Sequence, residues 1–271
     1  PPVRLVSLPN AVHRHRTVCG YPTYLSGAIS RTRAPPAFFV RLTVPHRLPS
    51  RTSSLILPPS VPDLSTLHAS DAEKQVFRDD LLSWYDDHKR QMPWRETGDP
   101  YAIWVSEIML QQTRVDTVRA YYRRFLEAFP TVDDLAAADR DDVLKLWEGL
   151  GYYSRARYLH EAAAQVVEEH DGQVPETMDA IRDLQGIGPY TAAAVLSIAY
   201  QKPHAVLDGN VARVLTRIYA VEDDSTSSTT KRHLRRLANE LLNPDRPADF
   251  NQAVMELGST VCTPTSPDCD A

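Results

Sequence analysis

Two glycines, Gly186 and Gly188, stand in the stretch Leu184-Gln185-Gly186-Ile187-Gly188-Pro189-Tyr190-Thr191, between a helical pattern ending at Leu184 and another running from Pro189 to Tyr200. A Gly-x-Gly joint turns the chain sharply and presents bare backbone N–H groups at a helix N-terminus, where a phosphate oxygen can be held. Pro189 suits the first helical position, which needs no N–H. Twenty residues further on, Asp208 in Leu207-Asp208-Gly209-Asn210 precedes a helical pattern and reads as its N-cap. Helix N–H groups and the helix dipole hold such a carboxylate ionised, so it can stabilise positive charge developing on a sugar. Capping alone is the plainer account of this residue.

Glu107 lies within Tyr101-Ala-Ile-Trp-Val-Ser-Glu-Ile-Met-Leu-Gln-Gln112, and its helical neighbours three and four positions away are Ile103, Trp104, Leu110 and Gln111. A carboxyl on that mostly apolar face loses hydration, which raises its pKa and favours the protonated acid. An acid tuned toward neutral pH, paired with a carboxylate kept ionised, is the arrangement that cleaves glycosidic bonds. The alternative for Glu107 is a side chain that reaches past its neighbours to solvent.

The elements that must position these groups are helices. Apolar periodicity and start signals predict helices over 73–89, 101–112, 114–129, 132–138, 140–150 and 152–170, then 176–184, 189–200, 210–220, 227–242 and 248–261. Thr113, Thr131 and Asp139 are placed as N-caps, and Pro175-Glu176 as a helix opening. Strand-like alternation is missing after Asp71, so the fold class is all-α. No apolar run approaches a membrane span, and three cysteines (19, 262 and 269) do not make a disulfide framework.

Charge is divided unevenly. Residues 1–70 carry eight arginines, no lysine and one acid, Asp63, leaving a net of −12 for residues 71–271. An acidic body counts against a general polyanion binder but permits a local basic face with backbone contacts to phosphate. The Pro-, Ser- and Arg-rich leader, 1–70, sustains no apolar period and is expected to be disordered. Its composition resembles a transit peptide, but a plain tail, or translation from upstream of the true start, is the preferred reading.

Met92-Pro-Trp-Arg95, Ser106-Glu-Ile-Met-Leu-Gln-Gln-Thr113, Gly149-Leu-Gly-Tyr-Tyr-Ser-Arg-Ala-Arg157, the glycine joint, Leu207-Asp-Gly-Asn210 and Phe250-Asn-Gln-Ala-Val-Met-Glu-Leu-Gly258 follow one another in order. Together they resemble the adenine DNA glycosylases (MutY family) of the helix-hairpin-helix superfamily, over about residues 75–271. The resemblance implies removal of adenine opposite guanine or 8-oxoguanine in double-stranded DNA by a monomeric enzyme. By resemblance, Glu107 protonates the adenine at N7, Asp208 stabilises the oxocarbenium-like sugar, and Asn210 supports the carboxylates. Trp94, Arg95, Leu110, Gln252 and Glu256 match positions around an adenine extruded from the stack, as chemistry on a base requires. Gln112 and Tyr152 match side chains inserted into the duplex; taken alone, Gln112 could be a helix-end amide and Tyr152 a core residue. Arg155 and Arg157 are open between a solvated face and phosphate contacts.

Related bifunctional lyases carry a lysine where this chain has Tyr190, and a phenol forms no Schiff base. The implied product is therefore an abasic site in an uncut strand. Cys262 and Cys269, six residues between them, match the first two ligands of the family's 4Fe-4S pattern. Four cysteines cannot be completed within this chain, so the sequence reads as a fragment of a cluster-bearing parent. Ordinary buried thiols are the alternative. The architecture implied is a lobe over 92–204 with the hairpin and a second lobe from 71–91 and 205–271, with the site between them. Location would follow the DNA: cytoplasm or nucleoid in a prokaryote, nucleus or organelle in a eukaryote. Two rivals remain: a G·T mismatch thymine glycosylase of the same superfamily, and a non-catalytic helix-hairpin-helix DNA-binding module.

Overall fold

The computed structural model describes residues 70–269. The leader reading, and Cys19 with it, lies outside them. The described residues are all-α, with no strand among them. The helices are α1 (Asp71–His88), α2 (Pro100–Leu110), α3 (Val115–Ala128), α4 (Val132–Ala137), α5 (Arg140–Leu146), α6 (Ser154–Glu169), α7 (Met178–Asp183), α8 (Pro189–Ile198), α9 (Gly209–Ile218), α10 (Ser228–Leu241) and α11 (Pro247–Thr260). A single 3₁₀ turn, Pro93–Arg95, precedes α2 and was not expected from the apolar pattern.

Local chemistry starts most of these helices. Ser70 with Glu73, and Thr131 with Asp134, form reciprocal capping boxes for α1 and α4. Asp99 caps α2 ahead of Pro100, its side chain accepting from Tyr101 N at 3.0 Å. Asp139 stands at the N-cap of α5 as expected, though its side chain makes no cap bond. Two expected start signals act otherwise. Arg114, not Thr113, occupies the N-cap of α3. The helix expected to open at Pro175-Glu176 begins at Met178, because the Thr177 side chain accepts from Ala180 N and takes the cap.

Apolar side chains gather in two clusters. One holds Trp104, Met109, Phe125, Trp147, Leu159 and Leu196; the other holds Leu81, Tyr85, Leu215, Leu234, Phe250 and Leu257. Each such buried side chain contributes roughly 1.5–3 kcal/mol. Helix α8 is mostly apolar, is buried from Thr191 to Ser197, and serves both clusters, with Ala192, Val195 and Leu196 in the first and Ala193 and Ala194 in the second. Helix α2 is similarly engulfed, buried from Tyr101 to Met109, and packs against α8. The chain between α8 and α9 is pinned by the buried amide of Asn251. Its Nδ2 donates to Ser197 Oγ and His204 O, both at 2.8 Å, and its Oδ1 accepts from Val206 N at 3.1 Å. That clamp fixes the approach to Asp208.

Candidate active site

Burial of α2 carries Glu107 inward with it, to 5 % exposure. The second residue of α8, Tyr190, faces it across the α2–α8 contact, and the phenol donates to Glu107 Oε2 at 2.9 Å. The same hydroxyl lies 3.4 Å from Met255 Sδ. Loss of hydration pushes the Glu107 carboxyl up to about 7, reinforced by the charge of Asp208 and opposed by the Tyr190 hydrogen bond and Arg95. Burial, with both carboxylates nearby, also holds the Tyr190 phenol well above its ordinary range, so it remains a donor.

Asp208 is the N-cap of α9. Its Oδ1 accepts from Val211 N at 2.7 Å and its Oδ2 from Asn210 Nδ2 at 2.8 Å. Arg213, one turn on, donates through Nη2 to Asn210 Oδ1 at 2.8 Å and to Gly258 O at 2.6 Å. This holds the Asn210 amide in the orientation that presents its N–H to the carboxylate. Gly258 permits the approach: a Cβ there would lie 2.7 Å from Asn210 Cβ and 3.0 Å from Asn210 O, against backbone that cannot yield.

Glu107, Tyr190, Asp208 and Asn210 line one cleft of about 200 Å³ together with Trp94, Arg95, Leu110, Gln252 and Glu256. That is below the roughly 300–1,000 Å³ usual for drug-sized ligands, and suits a single heterocycle. Glu256 is 1 % exposed and fully engaged. Arg90 Nε reaches Oε1 at 2.6 Å, and Arg90 Nη2 and Arg95 Nη2 each reach Oε2 at 2.9 Å. Burial alone would raise its pKa, but these arginines outweigh it and hold the carboxyl below its ordinary value. Glu256 is thus a buttress for two cations, Arg90 and Arg95, which line the same cleft. Trp94 is buried and packs edge-on against Tyr122, with ring centroids 5.5 Å apart.

The remaining singled-out residues lie elsewhere. Gln112 and Tyr152 are exposed tips, each in the left-handed region (φ 56° and 49°), so Tyr152, 60 % exposed, is not a core residue. Neither lines the cleft. Gly186 (φ +77°) turns under Tyr158, where a Cβ would come within 2.6 Å of Tyr158 Cβ. Gly188 is the N-cap of α8 and supplies no side-chain cap, leaving that helix end open. Arg155 is buried, not on a solvated face. Cys262 is buried; its Sγ accepts from Arg217 Nη1 at 3.2 Å, and its carbonyl accepts from Arg213 Nε at 2.8 Å. Among the described residues, no three of His, Cys, Asp and Glu are grouped to hold a metal ion.

Sequence reasoning did not single out Arg90, Met255 or Arg213. Arg90 follows the end of α1 with no periodic signal. Met255 sat inside a quoted motif without a role. Arg213 was findable, lying three residues after Asn210 on the same helical face.

A family profile described as HhH-GPD superfamily base excision DNA repair protein matches residues 105–240, half of the chain. The chain belongs to the HhH-GPD superfamily. Other members are similar over more of its length. A rat protein named adenine DNA glycosylase is 52 % identical over 208 residues, covering 73 % of this chain and 40 % of the rat protein. The human protein of the same name is 50 % identical, covering 73 % and 38 %. This HhH-GPD chain therefore spans about 40 % of the length of the curated mammalian relatives it matches. Among solved structures, a thermostable thymine-DNA glycosylase is 31 % identical with a TM-score of 0.66, covering 72 % of this chain and 90 % of that one.

Proposed function

We propose that this chain carries the catalytic site of a monofunctional DNA glycosylase that excises adenine mispaired with guanine or 8-oxoguanine. The observation that supports it is the convergence of Glu107, Asp208 and Tyr190 on one base-sized cleft. The rat and human proteins it resembles are named for adenine. The duplex is held by the open N-terminus of α8 behind Gly186 and Gly188, while Gln112 and Tyr152 enter the stack and the adenine turns out into the cleft. The cleft lies between a lobe of residues 92–204 and one formed by 71–91 and 205–271. The enzyme acts as a monomer on double-stranded DNA, wherever the DNA of its cell is kept; none of the described helices is long and apolar enough to cross a membrane.

With its carboxyl at about 7, Glu107 is substantially protonated at neutral pH and gives its proton to N7 of the adenine. Tyr190 occupies Oε2 and so directs the other oxygen to the base. As the glycosidic bond stretches, the Asp208 carboxylate, fixed by Val211 N and Asn210, stabilises the positive sugar. Glu107, now ionised, takes a proton from the attacking water. Tyr190 forms no Schiff base, so the strand is left uncut at an abasic site.

A 4Fe-4S cluster would be ligated by Cys262 and Cys269 with two further thiolates. The residues present do not complete that set, and no step above runs through a cluster. The thymine-DNA glycosylase among the structural relatives supports a second reading, excision of thymine from G·T. Single-turnover assays on A·8-oxoguanine, A·G and G·T duplexes decide between them. Release of thymine with adenine left intact would replace the first reading by the second.

A further inference from the structure

Arg155 takes no part in the chemistry above, yet its guanidinium is buried and heavily bonded. Nη1 donates to the carbonyls of Ile108 and Met109, each at 2.9 Å, and to that of Gln111. Nη2 donates to Thr113 Oγ1 at 3.1 Å and to the carbonyls of Gly151 at 3.2 Å and Leu150 at 3.5 Å. One planar cation thus takes up the unpaired carbonyls at the C-terminus of α2, the helix that carries Glu107, and also the turn that presents Tyr152. Trp147 lies under the guanidinium, 5.5 Å from its ring centroid, and its Nε1 donates to Gly151 O at 3.2 Å. The Tyr152 ring is 5.4 Å from the same guanidinium.

The two segments joined in this way each end in an exposed, non-glycine residue in the left-handed region, Gln112 and Tyr152. Such backbones are strained and persist only where their surroundings hold them. Burying a guanidinium among carbonyls is expensive, and here Nε is left without a hydrogen-bond partner. An apolar residue would fill the space without that cost but could not grip both segments.

We propose that Arg155 is a positioning residue: it sets the separation of the Gln112 and Tyr152 tips and their register with Glu107, so that base extrusion delivers the adenine to the acid. This rests on the base-excision reading above. It assigns Arg155 to extrusion, distinct from the proton transfer itself.

The test compares the wild-type chain with Arg155→Met and Arg155→Lys by circular dichroism, by hydrogen exchange of residues 110–114 and 149–153 without DNA, and by single-turnover adenine release. Two substrates are used: a fully paired duplex containing A·8-oxoguanine, and one in which the target adenine is a single-base bulge, already unstacked. Helical content is expected to be retained, with exchange rising in both segments together. Release from the paired duplex should fall about tenfold or more, and release from the bulge by less than about threefold. Lysine should not rescue, because a point donor cannot reproduce the fork. If Arg155→Met fails to fold, Arg155→Lys carries the comparison. Equal losses on the two substrates, exchange rising in one segment alone, or no change in either would overturn the proposal. If the wild type releases adenine from neither substrate, the base-excision reading falls, and the exchange data alone decide whether Arg155 couples the two segments.

Discussion

Replacing Tyr190 by Phe removes one interaction of the proposed acid. The phenol donates to Glu107 Oε2 at 2.9 Å, and this bond favours the ionised carboxylate. Its loss leaves burial and the Asp208 charge unopposed from that side, so the Glu107 pKa must rise from about 7. A hydrogen bond to a charged group is worth about 1.5–3 kcal/mol, which at 1.36 kcal/mol per unit is about one to two pKa units. An acid with a pKa of about 7 is about 3 % protonated at pH 8.5, against about 24 % for a pKa of about 8. The single-turnover rate of adenine release, normalised to its acidic plateau, should therefore be roughly eightfold higher at pH 8.5 in Tyr190→Phe than in wild type. The plateau itself is free to drop, since the carboxyl loses a positioning contact. The assay is a pH–rate profile from pH 5.5 to 9 at saturating enzyme. An alkaline limb that stays in place or moves to lower pH would refute the argument that Tyr190 sets the acid's pKa.

Three further outcomes follow from the same geometry. A carboxyl whose folded pKa is raised from 4.5 to about 7 subtracts stability as pH climbs through that interval, up to about 3 kcal/mol. Glu107→Gln should accordingly raise Tm at pH 8 and leave it unchanged at pH 4, while slowing adenine release by about 10² or more; equal thermal shifts at both pH values would contradict this. Asp208→Asn keeps a capping side chain and should cost well under about 1 kcal/mol, whereas Asp208→Ala should cost about 0.5–2 kcal/mol in urea titration. Both should lose adenine release alike, because charge rather than capping serves the sugar; activity retained in Asp208→Asn would remove its assigned role. Gly258→Ala forces a methyl against Asn210 and should lower both Tm and release rate, an effect that a normal Tm would contradict.

Much of the scaffold was legible because it rests on local rules. Mostly apolar neighbours at three and four positions left Glu107 open between burial and solvent, and the engulfing of α2 decides for burial. The Asp208 cap needed only the residue type and the helical run after it. What sequence left open depends on contacts between distant segments. Thr113 has the residue type of an N-cap, but its hydroxyl accepts from Arg155, forty-two positions away, and the cap falls to Arg114. Arg155 itself, open between solvent and phosphate in the sequence, is buried because two carbonyl-rich turns converge on it. Glu256 lies in a quoted motif, but only the fold brings Arg90 and Arg95 across more than 160 positions to saturate it.

Glu107 is proposed to serve as the acid of a glycosylase that leaves its strand intact. The decisive experiment incubates the wild-type chain and Glu107→Gln with an end-labelled duplex containing A·8-oxoguanine, then analyses the strand with and without hot alkali. Wild-type breaks at the adenine position are expected only after alkali, with no borohydride-trapped adduct and essentially no product from Glu107→Gln. Breaks without alkali, or release by Glu107→Gln at the wild-type rate, would contradict it.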